Sequence, residues 1–347
     1  MTAASIRFDT RINHLRDMQL SPWADVGDPL AEAAVAVARD RGGDGDLLAR
    51  VERLADAGEP ACRSLLASVE NPPSWVDLDR IAIGADMALR HFPQYTLAVG
   101  YGALMTTFSS PDAAYILSST GRFEEDAARR LQRSSALFFG VLDAAGLATH
   151  GTAWAACMRV RLIHSAVRLH MTAHGQWPFP GKPVSALQTS AGPLFFGAMM
   201  LDRLRRLGAR ITPDEADGFY LLWRYVTWLL GVPDELLGET AEEQAALDAR
   251  ILPFTFAPDD NSRRLARIAL DGMLGMPGAD RLPRSVHETI AAFMLGPDRA
   301  RQMGLPAHRW GVIGVRCLAS AMKGYGAAQR IPAVARATGR SGRRLLL

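Results

Sequence analysis

Along most of this chain the apolar residues recur at three- and four-residue steps, the spacing of one face of an α-helix. From Phe219 onward, Leu222, Trp223, Val226, Leu229 and Leu230 form one such stripe. Helix-start signals stand where stripes begin. Thr212-Pro-Asp-Glu215 has a capping threonine, proline in the first helical position and a glutamate three residues after the cap. Thr240-Ala-Glu-Glu243 and Ser285-Val-His-Glu288 repeat that box, and Gly231 before Val232-Pro233 reads as a stop. No alternating run bounded by turn residues is long enough to argue for a sheet. The pattern predicts helices near 28–40, 46–68, 77–92, 94–108, 111–118, 122–144, 151–174, 186–207, 213–230, 241–253, 260–274, 284–295 and 308–322. The fold class is all-α.

Breaks fall at Pro72-Pro73, at "QWPFPGKPV" (176–184) and at "MPGADRLP" (276–283), none long or polar enough to divide domains. No period repeats, which counts against a helical solenoid. The expected organisation is an N-terminal extension over 1–26, a single large helical domain over 27–325 and a basic tail over 326–347. The tail has five arginines and no acid from Gln329 onward, and is expected to be loosely held, with contact to an anionic surface as the alternative.

Composition narrows the class. Of 347 residues 48% are hydrophobic and 22% charged, a globular balance rather than a disordered one. A formal net charge of +3 gives no reason to expect a nucleic-acid partner. Cys62, Cys157 and Cys317 are widely separated and odd in number, which suits a reduced, cytoplasmic setting. The start lacks the apolar core of a signal peptide, and "FYLLWRYVTWLLG" carries Arg224 in its middle, so no membrane span is expected.

The chemistry concentrates in "RVRLIHSAVRLHMTAH", residues 159–174. On a helix, Cys157, Val160, Val167 and Met171 fall within about 60° of His164, and Arg161 and Arg168 flank it at about 60° and 40°. An imidazole in an apolar wall beside two guanidiniums suits a haem: nitrogen for iron, hydrocarbon for the macrocycle, cations for the propionates. A buried histidine hydrogen-bonded to a neighbour, with arginines reaching solvent, explains the same pattern. His170 and His174 stand four apart but lack the glutamate of the zinc-protease motif and any third ligand. In "TGRFEEDAARRLQRSSALFFG" (120–140), Arg130, Arg133 and Ser134 share a helix face, where two cations and a hydroxyl could polarise an oxygen species. Glu125, Asp126, Arg129 and Arg130 equally describe an exposed, salt-bridged helix.

Six ordered pieces together resemble the catalytic domain shared by the latex-clearing rubber oxygenases and the fungal MpaB oxygenase. They are "GDPLAEAAV" (27–35), "PSWVDLDRIAIG" (73–84), "STGRFEEDAARR" (119–130), "RVRLIHSAVR" (159–168), "WPFPGKPVSALQTSAGPLFFG" (177–197) and "LLWRYVTWLLGVPDELL" (221–237). The resemblance implies an all-helical fold with a globin-like core holding one non-covalent haem b, with His164 as the proximal iron ligand. It aligns Arg130, Arg133 and Ser134 with a distal arginine, lysine and threonine. Arginine keeps the lysine's charge but is a poor iron ligand. The distal glutamate of the rubber cleavers is absent; Ala114 stands near its place and Asp112 is the acid nearby.

Read this way, the chain is a haem-dependent oxygenase that uses dioxygen on an apolar, unsaturated, isoprenoid- or lipid-like small molecule, with oxidative C=C cleavage as the reaction. A non-catalytic haem sensor or carrier and a cofactor-free helical interaction protein are the alternatives.

Overall fold

A computed structural model describes Leu15 and residues 17–119, 136–274 and 281–344, and among the described residues there is helix and no strand. The all-α expectation holds. Helices Pro29–Asp40, Leu78–Arg90, Thr152–Ala173, Pro213–Leu229, Asp260–Leu274 and Arg284–Leu295 lie where the apolar stripes put them. One of the three capping boxes forms in full and a second forms in part. The Glu215 backbone N–H donates to Thr212 Oγ1 at 3.3 Å while the Thr212 N–H donates to Glu215 Oε2 at 2.9 Å. The Glu243 N–H donates to Thr240 Oγ1 at 3.2 Å, while its carboxylate accepts from the Glu239 N–H at 2.8 Å, one residue before the cap. The Ser285 box does not form: the helix starts at Arg284 after Pro283, which places Ser285 inside it. Glu288 then turns to Arg284 and His308.

The remaining differences have local causes. The stretch 46–68 splits into Leu47–Asp56 and Pro60–Ala67, because Gly58 takes a φ of 91° and Pro60 starts a new turn. The stretches 94–108 and 186–207 each contain a π-helical turn, Val99–Ala103 and Pro193–Ala198. One side chain joins the two widened turns. Arg203, fully buried, donates to the Phe195 carbonyl at 3.3 Å, the Met294 carbonyl at 3.4 Å and Thr106 Oγ1, and its stem lies against Gly102.

The chain divides into two compact units. The first takes in Met1–Asp79, Ala144–Leu194 and Tyr220–Phe254; the second takes in Arg80–Asp143, Phe195–Phe219 and Thr255–Leu347. In the first, Thr152–Ala173 packs on Pro29–Asp40 and Leu47–Asp56. In the same unit Leu15 and Leu20 are buried, and Arg250 donates to the carbonyls of Leu15 and Met18. In the second, Arg284–Leu295 packs on Arg309–Ala328, Pro297–Gln302, Asp260–Leu274 and the Val99–Ala103 turn, around Tyr101, Met105, Phe108, Leu270 and Ile290. Within the region read as a basic tail, Pro332–Arg344 is a helix of this unit. Among the described residues no helix is long and apolar enough to cross a membrane.

Candidate functional site

His164 sits at the middle of Thr152–Ala173, a long helix that starts without a side-chain cap and owes its position to packing. The edge of the buried face runs through this residue. On one side Cys157, Arg161, Arg168 and Met171 are buried; on the other Ala156, Val160 and Val167 keep part of their surface, and Ile163 is 55% exposed. The arginine flank is therefore the inward one. The sequence alone fixed the angles between these side chains but not which flank faced the interior.

Both arginine forks are engaged inside the first unit. Arg161 donates from Nε to Asp28 Oδ2 at 2.6 Å and from Nη2 to Asp28 Oδ1 at 3.1 Å, with both side chains 7% exposed. Arg168 donates to Glu32 Oε1 at 2.9 Å, to Ser165 Oγ at 3.3 Å and to the carbonyls of Pro183 and Val184 at 3.1 and 2.6 Å. These bonds tie the His164 helix to Asp28, Glu32 and the Pro183–Val184 backbone.

Four of the quoted motifs converge on this ion-paired floor. Asp28 caps Pro29–Asp40 by accepting from the Ala31 N–H at 3.1 Å, and Glu32 Oε1 accepts from the Asp28 N–H at 3.0 Å. A Cβ at Gly27 would overlap Glu32 Oε1 and stand 2.9 Å from Arg168 Cδ. Gly231, at a φ of 86°, lies so close that its Cβ would overlap Asp28 Oδ2 and stand 2.7 Å from Arg161 Nε. Gly231 thus ends its helix, as its sequence signal said, and makes room for the ion pair. The "QWPFPGKPV" connection is tied down as well: Arg168 holds the carbonyl of Val184, whose φ is 50°, while the Lys182 and Ala186 N–H groups donate to the Ala24 and Val26 carbonyls, each at 2.8 Å. It is a rigid strap.

Nδ1 of His164 is sealed from solvent and has no hydrogen-bond partner among the described residues. Burial pushes the ring's pKa down to about 4, with the Arg168 charge adding to the shift and Asp28 opposing it. The ring is thus a neutral imidazole with a lone pair to give. Burial likewise pushes the Cys157 thiol up to about 12, which leaves it a packing group rather than a competing thiolate. No group of three His, Cys, Asp or Glu side chains comes together among the described residues, and His170 and His174 are an exposed pair with ring centroids 4.3 Å apart and planes tilted by 40°. A single neutral imidazole beside aliphatic side chains fits a cofactor that brings its other metal donors with it, as a haem does. Asp28 and Glu32 were not recognised as partners of the site. Their capping pattern was legible, but their ion pairing to helix Thr152–Ala173 depends on tertiary packing.

Arg130, Arg133 and Ser134 lie outside the described residues. Asp112 and Ala114 belong to the second unit, on helix Pro111–Ser119. Ala114 is fully buried; Asp112 is half-buried, and burial together with the Asp259 charge pushes it up to about 6.

Residues 90–324 match the family described as ER-bound oxygenase mpaB/B'/Rubber oxygenase, catalytic domain, which is more than half of the chain. The chain belongs to this oxygenase family. Membership places it among the oxidoreductases. A rubber oxygenase from Streptomyces sp. (strain K30) is 21% identical over 296 residues, spanning 82% of this chain and 70% of that relative. Among solved structures, latex clearing protein LCP in the closed state superposes with a TM-score of 0.69 at 18% identity, covering 93% of this chain and 91% of that one. At that identity the likeness is one of fold.

Proposed function

We propose that the protein is a haem b-dependent oxygenase acting on an apolar, unsaturated, isoprenoid-like molecule, with His164 as the protein's iron ligand. The observation that carries this reading is an uncharged, half-buried imidazole whose sealed Nδ1 has no partner among the described residues, beside the aliphatic side chains of Val160 and Val167. Family membership and the likeness to a rubber oxygenase supply the reaction class.

The chain's residues divide the work. His164 holds the cofactor. Arg161 and Arg168 position it, through Asp28 and Glu32, by fixing the helix against the Asp28–Glu32 turn and the 183–184 strap. Val160, Val167 and Ile163 offer hydrocarbon beside the ring. Arg130, Arg133 and Ser134 are the groups assigned to supply positive charge and a hydroxyl to the oxygen substrate. Bound haem supplies the dioxygen chemistry. In the proposed reaction one carbon–carbon double bond breaks and each carbon receives one oxygen atom. Dioxygen is thereby fully consumed in two carbonyl groups without an external reductant.

The test is haem loading. Wild type purified from haem-replete cells is expected to bind one haem b, while His164→Ala loses it and added imidazole restores its absorption spectrum. Full haem content with an unchanged Soret band in His164→Ala overturns the ligand assignment. Oxygen uptake with an unsaturated isoprenoid, and carbonyl products detected by mass spectrometry, test the reaction separately.

A further inference from the structure

The charge of this chain is segregated. Residues 299–347 contain no Asp or Glu but carry Arg299, Arg301, Arg309, Arg316, Lys323, Arg330, Arg336, Arg340, Arg343 and Arg344. A total of only +3 therefore hides a net-negative remainder joined to a strongly cationic C-terminal stretch. Its last described helix, Pro332–Arg344, exposes Arg336, Arg340 and Arg344. At 100° per residue these three fall within about 80° of one another.

The inner face of the helix fixes which way they point. Gly342 is buried against the Leu89 carbonyl, where a Cβ would overlap, and Gly339 lies against Arg90 Cγ, 3.4 Å from where its Cβ would be. Thr338 Oγ1 donates to Gln329 Oε1 at 2.9 Å. Arg343 reaches both carboxylate oxygens of Asp86 at 2.7 Å. Arg336, Arg340 and Arg344 have no ion-pair partner among the described residues, as do Arg330 and Lys323 on the preceding segment. Exposed isoleucine accompanies the cations: Ile331, just before the helix, is 56% exposed. Leu345, Leu346 and Leu347 follow Arg344 in the sequence.

We propose that helix Pro332–Arg344 docks the protein on the surface of an anionic lipid bilayer. Fixed arginines pair with lipid phosphates and carboxylates, and neighbouring isoleucine gives apolar contact at the interface. A nucleic acid would meet the same charge, but the outward face presents Ala333, Ala337 and Ser341 between its arginines and no aromatic ring on which a base could stack. The docking is peripheral, and it stands or falls independently of haem binding.

Co-sedimentation of the full-length protein with phosphatidylcholine vesicles, with and without phosphatidylserine, tests this. Binding is expected to require phosphatidylserine and to weaken as salt rises. Each arginine at the surface contributes about a fivefold factor, so Arg336→Gln/Arg340→Gln/Arg344→Gln should lower partitioning on the order of 100-fold. The corresponding triple lysine variant should keep it, and Arg39→Gln/Arg63→Gln, on other exposed arginines, should leave it unchanged. Thermal melts check that the variants remain folded. Equal binding to both vesicle types, undiminished binding by the triple glutamine variant, or tighter binding to an RNA or DNA oligonucleotide than to vesicles would each overturn the proposal.

Discussion

Arg161 and Asp28 meet edge to edge, with two hydrogen bonds of 2.6 and 3.1 Å between side chains that solvent scarcely reaches. Such a pair is costly to break from one side, because the remaining charge stays buried without compensation. Arg161→Met should therefore destabilise the protein by about 3–5 kcal/mol in chemical denaturation. Arg161→Met with Asp28→Asn, which keeps an oxygen for the Ala31 cap, should cost clearly less than the sum of the two single changes. Additive costs would mean that the pair is not coupled.

A second close approach lies in the other unit. A Cβ on Gly84 would overlap the backbone at Gly218–Phe219, and one on Gly218 would overlap the Arg80 carbonyl, so helices Leu78–Arg90 and Pro213–Leu229 touch here main chain to main chain. Gly84→Ala has no side-chain end to push aside. It should cost about 3 kcal/mol, the upper range for overpacking. Ile83→Ala, one residue away but 45% exposed, should stay within about 0.5 kcal/mol of wild type.

These two places show what the sequence carried and what it did not. Periodicity located the long helices, because an apolar stripe is a property of neighbours three and four apart. Gly231 was readable as a stop because left-handed backbone favours glycine locally. Its second role, making room for Asp28 and Arg161, was not readable, since those partners are far away in sequence. The π turns were missed for a related reason: Arg203 ties them together from a third element. His164 was legible as an imidazole on an apolar stripe. That its arginine flank faced inward needed Asp28 and Glu32 in place.

Asp248 offers a test in pH. It is 3% exposed, accepts from Tyr220 Oη and from Gln244 Nε2 at 3.0 Å, and burial pushes its carboxyl up from 3.8 to about 6. A raised pKa means that the folded chain binds this proton more tightly than the unfolded one. The stability it contributes is fully present below about pH 4 and is lost as pH rises through about 6. The full swing is on the order of 3 kcal/mol. Asp248→Asn should remove that dependence, so the variant should gain on wild type across the window and hold its gain above it. Urea denaturation at a series of pH values measures the difference. A difference that stays flat with pH would show that Asp248 titrates alike in both states.

The carboxylate nearest in influence to His164 is Asp28, and Arg161 already holds both its oxygens. Nδ1 has no acceptor among the described residues. A ligand histidine that donates its second nitrogen to a carboxylate becomes a stronger electron donor to its metal. No described residue supplies that enhancement, so haem-loaded protein should carry a neutral-imidazole ligand. Resonance Raman of the ferrous form should give an iron–imidazole stretch below that of haem proteins with a carboxylate-paired histidine, and the reduction potential should be correspondingly higher. Arg161→Gln leaves Asp28 without its cation and should lower the potential, whereas Arg159→Gln, which removes only an exposed pair to Asp46, should not. A stretch in the carboxylate-paired range in wild type would mean that the sealed edge of the ring finds a partner once the cofactor is bound.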